Sequence, residues 1–208
     1  MQNNNKKEYE DRQIAVHKAG KSLLELQDSL KIDDESKRVH GDKSLVKLVM
    51  VDYSKEQHTQ VYCNVNPSVI SYIKEVSLQC RPNFQYTKSK IFGDPDSNGE
   101  SIVTKLTINR TATDKNGAKR NYPWYVCIEN GKGRKAKAQS GGTYIAANSY
   151  KCEKRVQINM TDVEMYSLMR KGERYIENFE DKVISTRTLQ SFGSSLCSWI
   201  KSLFKPQE

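Results

Sequence analysis

The chain has 208 residues, of which 36% are hydrophobic, enough for one sizeable core or two small ones. Its net charge of +9 favours an anionic partner, either nucleic acid or a membrane surface. The five cysteines form no C-x-x-C pair, which disfavours zinc ribbons and thioredoxin-like chemistry, and no apolar run reaches the roughly 18 residues of a membrane-spanning helix.

The first 44 residues predict a helical arm and a charged linker. The apolar residues of the arm have a spacing that suits one helix face: Ile14, Leu23, Leu24, Leu26 and Leu30. A charged linker follows at 31–44. The opening MQNNNKKEYEDRQ has no apolar core, so we expect no signal peptide and a cytoplasmic location, the host cytoplasm if the gene belongs to a phage.

Residues 45–190 predict an α+β core. Two runs rich in Val and Tyr predict paired strands, and Asn66-Pro67-Ser68 begins a helix that extends to about residue 79. The predicted strands are 45–53, 59–65, 84–92, 101–113, 121–129 and 150–160. The order ββα-ββββα predicts one strongly curved antiparallel sheet with two helices that follow strands.

The second helix of this core begins at a capping box, Thr161-Asp-Val-Glu164. One apolar stripe runs along it: Met165, Leu168, Met169, Ile176, Phe179 and Val183. Gly172 weakens a helix by roughly 1 kcal/mol relative to alanine, which indicates a packing reason or a bend.

Residues 191–208 predict a separate amphipathic helix. Its apolar stripe is a candidate partner-binding surface: Phe192, Leu196, Trp199, Ile200 and Leu203. The helix can dock on the core or on another protomer, bind a partner protein, or lie on a membrane. Only Lys201 and Lys205 supply positive charge, so the membrane is the least favoured of the three.

The stretch GKGRKAK at 131–137 is the centre of the positive charge. Residues 110–155 contain eleven cations against three acids, a net charge of +8. The glycine spacing is not that of a nucleotide-binding P-loop. Basic groups beside aromatic strand residues are typical of proteins that bind single strands through phosphate contacts and base stacking. We therefore expect a mobile basic loop, with a solvated hairpin as the alternative.

Metal and catalytic sites are not indicated. The segment 94–99 opens like a calcium loop, but Lys105 stands where the bidentate glutamate belongs. The histidines His17, His40 and His58 have no nearby nucleophile, and Asp52, Glu56 and His58 suit a solvated turn better than a metal site. We expect no cofactor, no metal and no enzymatic activity, although a nuclease built from scattered carboxylates stays open.

The closing strand and helix, KCEKRVQINMTDVEMYSLMRKGERYIENFE, resemble those of the positive-cofactor-four-like transcriptional coactivators and the plant Whirly proteins. The matching positions are Lys154 and Arg155 in the strand, Thr161-Asp162 in the turn and Tyr166 in the helix. The resemblance covers roughly residues 101–182. It implies single-stranded nucleic-acid binding across a sheet, and a dimer joined through helices.

These features favour a non-enzymatic protein that binds single-stranded nucleic acid, DNA before RNA. The candidate contact residues are Arg110, Lys119, Arg120, Tyr122, Trp124, Tyr125, Lys132, Arg134, Lys135, Lys137, Lys154 and Arg155. Strand alternation means that Trp124 and Tyr125 cannot both face the ligand. The alternatives are a phage or mobile-element module that binds and inhibits a host protein complex, and a metal-dependent nuclease.

Overall fold

Within the described part of the chain, ten strands and two helices form. The structure is a computed structural model that describes residues 12–32 and 43–203, with side chains described as far as Val183. The strands are β1 (Gln13–Ala19), β2 (Ser22–Ser29), β3 (Leu45–Asp52), β4 (Thr59–Val65), β5 (Asn83–Phe92), β6 (Ser101–Thr111), β7 (Trp124–Gly133), β8 (Lys135–Lys137), β9 (Thr143–Ile145) and β10 (Lys151–Met160). The helices are α1 (Pro67–Gln79) and α2 (Asp162–Leu203).

The chain twice forms a four-stranded antiparallel sheet that leads into a helix. Strands β1 to β4 pair in chain order and precede α1, whereas the second sheet has the order β10-β7-β6-β5 and precedes α2. Strands β8 and β9 form a separate two-stranded hairpin. The α+β class with antiparallel sheets and two helices is confirmed. The order ββα-ββββα and the single curved sheet are wrong, because β1 and β2 complete a second sheet.

The N-terminal helical arm is corrected to a β-hairpin over residues 13–29. Strands β1 and β2 pair around the two-residue turn Gly20-Lys21, with Ala19 opposite Ser22. Gly20 has φ +57°, which suits the first central position of a tight hairpin turn. Leu24 and Leu26 face the core with the two-residue period of a strand. Because Leu23 and Leu30 are also present, the same segment matches the spacing of a helix face. Residues 1–11 and most of the predicted linker lie outside the described residues.

The core lies between the inner faces of the two sheets and the two helices. Strand β10 contacts β1, β2, β3 and β4, so the strands of one sheet cross those of the other. Helix α1 packs along α2, and α2 covers β1. The fully buried large side chains come from both sheets and both helices: Leu24, Leu26, Leu48, Met50, Ile70, Ile73, Leu106, Ile108, Trp124, Ile128, Met160 and Met165.

The free edge of β4 is satisfied by side chains of the second sheet. The amide of Asn130 accepts a hydrogen bond from the backbone N–H of Tyr62 and donates one to its carbonyl, both at 2.9 Å. The Lys88 ammonium donates to the carbonyl of Asn64 at 3.2 Å. An unpaired strand edge invites association with other chains. These two side chains therefore close the first sheet where it meets the inner face of the second.

The capping box at the start of α2 is confirmed. The Glu164 carboxylate accepts from the Thr161 N–H at 2.8 Å, and the Thr161 hydroxyl accepts from the Glu164 N–H at 3.2 Å. Of the two explanations for Gly172, a packing reason or a bend, close packing is the one that the structure shows. A Cβ atom there would lie 2.8 Å from the Leu26 side chain and 3.0 Å from that of Ile70, so glycine lets α2 approach β2 and α1 closely.

The separate helix predicted at 191–208 is corrected, because the backbone is one continuous helix from Asp162 to Leu203. The candidate partner surface, which is Phe192, Leu196, Trp199, Ile200 and Leu203, has side chains outside the described residues. Among the described helices, none combines the length and apolar character that crossing a membrane requires.

Candidate nucleic-acid interface

The outer face of the second sheet, which points away from the first sheet, is polar over most of its area. Register places one set of side chains side by side across its four strands. They are Gln85, Thr87 and Ser89 on β5, Lys105, Thr107 and Asn109 on β6, Tyr125, Cys127 and Glu129 on β7, and Arg155, Gln157 and Asn159 on β10. The outer face, defined by these residues, therefore offers amides, hydroxyls and one exposed guanidinium.

Tyr125 and Arg155 are joined on the outer face where β7 pairs with the edge strand β10. The guanidinium of Arg155 donates to the Tyr125 hydroxyl at 2.7 Å, and that hydroxyl donates to the Gln157 side-chain oxygen at 3.0 Å. Partial burial raises the pKa of Tyr125, and its hydrogen bond raises the pKa of Arg155. The tyrosine is neutral and the arginine charged at neutral pH, so the pair presents an aromatic ring beside a fixed cation.

The single acid of this set, Glu129, is surrounded by partners. Its carboxylate lies 3.6 Å from Arg155 Nε and accepts from the Tyr150 hydroxyl at 3.2 Å. The Lys105 ammonium lies 3.5 Å from the centre of the Tyr150 ring, a cation–π contact. Burial raises the pKa of Tyr150. These contacts offset the negative charge of Glu129 on a surface where Arg155 and Lys105 supply two cations.

The segment 134–150, which contains β8 and β9, covers one end of the same face. A Cβ atom on Gly133 would lie 3.2 Å from Val103 and 3.3 Å from Ile145. The buried Ser149 accepts from the Arg134 N–H at 3.0 Å and donates to the Ala146 carbonyl at 2.7 Å. The segment is therefore held against the sheet and borders the exposed part of the outer face.

The prediction of a mobile glycine-flanked loop at GKGRKAK is wrong. Residues 131–133 continue β7, and 135–137 form β8. A Cβ atom on Gly131 would lie 2.0 Å from the carbonyl oxygen of Lys151, so this glycine allows β10 to pass closely at the irregular register near Cys152. The glycines of this stretch serve packing between strands.

Two candidate contact residues, Arg110 and Trp124, are buried and face inward. Arg110 binds the Asp162 carboxylate through two hydrogen bonds of 2.7 and 2.9 Å, and the Trp124 indole donates to the same carboxylate at 2.7 Å. Their exposed fractions are 6% and 0%. Neither side chain can reach a ligand, so their assignment as contact residues is corrected. Of the two neighbouring aromatics, Tyr125 faces outward.

The remaining candidate cations, at 132–137 and on β10, differ in whether a protein group pairs with the side-chain charge. Lys132 pairs with Asp96 at 2.7 Å and lowers the pKa of that carboxyl to about 2, and the Lys135 ammonium donates to the carbonyl of Gly93. Arg134 and Lys137 are exposed on the segment that borders the outer face. Lys154 is also exposed, but strand alternation points it away from Arg155.

The opposite end of the outer face is bordered by the loop between β6 and β7. The carboxylate of Asp114 accepts from the N–H groups of Asn116 and Ala118, and Gly117 adopts φ +81°. Lys119 and Arg120 are exposed on this loop, as is Tyr122, with 58% of its surface accessible. The Arg120 guanidinium donates to the Thr113 carbonyl at 3.1 Å. Cations thus flank the Tyr125–Arg155 pair at both ends.

A cleft of about 450 Å³ lies beside Tyr122, where β10 meets the β1–β2 turn. Its walls include Lys18, Ser22, Gln157, Asn159 and Glu164. The sequence gives no signal for this cleft, because its walls come from segments more than a hundred residues apart. The hairpin that carries Lys18 is also read as a helix from its sequence.

Comparison with protein-family models, with curated protein sequences and with solved structures found no match to this chain. In the part of the chain that the structure describes, histidine, cysteine and acidic side chains form no group of three that could hold a metal ion.

Proposed function

We propose that the chain is a non-enzymatic protein that binds single-stranded nucleic acid, DNA in preference to RNA, on the outer face of the second sheet. The observation that carries the proposal is the Tyr125–Arg155 pair, in which a hydrogen bond joins a tyrosine side chain to a guanidinium on the polar outer face, where β7 pairs with the edge strand β10. Sheet faces that present aromatic rings bind bases by stacking, and cations beside them neutralise phosphates.

The distribution of charge supports a strand that runs across this face. Arg134 and Lys137 border one end, and Lys119 and Arg120 border the other. Between them the polar amides and hydroxyls can bond bases or phosphates without selecting one sequence. A single strand that crosses from one end to the other meets cations, then the Tyr125–Arg155 pair, then cations again.

The resemblance of the closing strand and helix to the positive-cofactor-four-like and Whirly proteins agrees with this proposal. It adds a homodimer joined through helices, which sedimentation of the full chain tests directly. A cytoplasmic location and a phage or mobile-element origin belong to the same proposal.

Fluorescence anisotropy with a labelled oligo(dT) tests the proposed function. We expect binding at low salt, with the logarithm of the association constant falling by about 0.7 per phosphate contact as the logarithm of salt concentration rises. No binding at low salt would remove the proposal. A stoichiometric protein complex that survives nuclease treatment, without oligonucleotide binding, would favour the host-inhibitor alternative. Cleavage of the oligonucleotide with Mg²⁺ or Mn²⁺ would favour a nuclease.

A further inference from the structure

Among the described strands, only β7 pairs with β10, and the opposite edge of β10 forms one wall of the cleft beside Tyr122. Thr111 N–H donates to the Pro123 carbonyl at 2.9 Å, which sets the alternation of hydrogen-bonded pairs between β6 and β7. Because hydrogen-bonded pairs alternate along the strands, Tyr125, Cys127 and Glu129 bond to β6. The intervening residues Trp124, Val126 and Ile128 therefore direct their backbone N–H and C=O groups to β10. By the same alternation, Gln157 and Asn159 direct their backbone N–H and C=O groups away from β7. These groups form the edge of β10 that lines the cleft.

Tyr122 supplies an aromatic surface at the same cleft. More than half of its side chain is exposed, although a tyrosine ring gains free energy from being covered. Stacking of a nucleobase on an aromatic ring is sequence-tolerant because each base has a π-face. The volume of about 450 Å³ lies within the range of small-molecule pockets.

Lys18 and Glu164 line the cleft with side chains of opposite charge. Lys18 is exposed on β1, where it can meet a phosphate. The Thr161 N–H donates to Glu164 and lowers the pKa of that carboxyl, so Glu164 is negative at neutral pH. A carboxylate repels phosphate but accepts hydrogen bonds from an amino group, as acidic side chains do from cytosine N4.

We propose that the cleft binds one nucleobase stacked on Tyr122, and that Glu164 favours a base with an exocyclic amino group. This subsite rests on the proposed function, because the strand that crosses the outer face delivers the base. Gln157 links the two surfaces, since its side-chain oxygen accepts from Tyr125 while the residue also lines the cleft.

Anisotropy titrations with labelled oligo(dC) and oligo(dT) test the subsite, because the two bases have similar size and differ in the amino group. We expect the wild-type chain to bind oligo(dC) roughly tenfold more tightly, the effect of one hydrogen bond to a charged group. Tyr122→Ala should weaken binding to both by roughly 5- to 150-fold, and Tyr122→Phe should retain affinity. Glu164→Gln preserves the capping-box pattern and should abolish only the preference.

Tyr72→Ala is the control, because Tyr72 is a half-exposed tyrosine on α1, outside the cleft. Wild-type binding to both oligonucleotides by Tyr72→Ala, together with the losses above, supports the subsite. If Tyr122→Ala and Glu164→Gln bind like wild type while Arg155→Ala binds weakly, the subsite is overturned and the proposed function stands. If no variant and no wild-type chain binds either oligonucleotide, both fall.

Discussion

Two hydrogen bonds, of 2.7 and 2.9 Å, connect the Arg110 guanidinium near the end of β6 to the Asp162 carboxylate at the start of α2. The arginine side chain is almost fully buried. Breaking such a pair leaves an uncompensated buried charge, which typically costs about 3–5 kcal/mol. We therefore expect Asp162→Asn to lower the free energy of unfolding by roughly that amount in urea titrations. Asp94→Asn, at an exposed loop residue, is the control.

The same pair predicts a dependence of stability on pH. The hydrogen bonds from Arg110 hold the pKa of Asp162 below its usual value of 3.8. A carboxyl with a depressed folded-state pKa contributes stability above its unfolded pKa, and that contribution is lost as the pH falls through the folded value. Wild type should therefore lose stability below about pH 3.8 more steeply than Asp162→Asn. Equal slopes would contradict this account of the pair.

Gly172 gives a prediction opposite to helix propensity. Alanine in a helix interior is favoured over glycine by about 1 kcal/mol, but a Cβ atom here meets Leu26 and Ile70 at 3.0 Å or less. Overpacking a tight contact typically costs about 1–3 kcal/mol, so Gly172→Ala should lower the melting temperature. Gly142→Ala is the matched control, because its Cβ has no neighbour closer than 3.8 Å. A more stable Gly172→Ala variant would refute the close approach of α2.

Local patterns predict much of the core, whereas tertiary partners decide the rest. The strand Thr59–Val65, the helix Pro67–Gln79 and the capping box follow from β-branched runs, a proline at the helix start and a Thr-x-x-Glu spacing. The N-terminal hairpin does not, because its leucines satisfy a helical spacing and a strand alternation equally well. Only the partner strand β3 selects between the two readings.

The candidate nucleic-acid interface, like the core, is only partly predictable from local sequence patterns. Alternation excludes one of Trp124 and Tyr125 from the ligand, but the hydrogen-bond partner of the buried Trp124 indole is Asp162, 38 residues away. The charge of GKGRKAK is visible in the sequence, whereas the partners of Lys132 and Lys135 lie in the β5–β6 loop. The cleft depends on contacts between the N-terminal hairpin and β10, which no local pattern encodes.

The stretch GKGRKAK at 131–137 allows a test in which two double variants remove the same amount of positive charge. Arg134→Ala/Lys137→Ala and Lys132→Ala/Lys135→Ala each remove two cations. Among the described residues, the ammonium groups of the second pair bind Asp96 and the carbonyl of Gly93, whereas the side-chain cations of the first pair bind no protein group. We expect the first double variant to reduce the salt slope of oligonucleotide binding by about 1.4, two contacts at about 0.7 each. The second should change the slope much less. Equal reductions would contradict the expectation that the unpaired cations contact phosphate and the paired ones do not.

The central claim is that the outer face of the second sheet holds the single strand, and the chain contains a matched control for it. Lys47 and Tyr62 form another cation–aromatic pair, with the ammonium 5.0 Å from the ring centre, on the outward side of the first sheet. Tyr125→Ala/Arg155→Ala and Lys47→Ala/Tyr62→Ala therefore remove the same kinds of group from different surfaces.

The decisive measurement is the affinity of these two double variants for labelled oligo(dT) at low salt, with circular dichroism to verify folding. Tyr125→Ala/Arg155→Ala should bind at least roughly tenfold more weakly than wild type, because stacking one base contributes about 1–3 kcal/mol. Lys47→Ala/Tyr62→Ala should bind like wild type. Wild-type affinity in the first variant, or an equal loss in both, would contradict the assignment of the outer face as the binding surface.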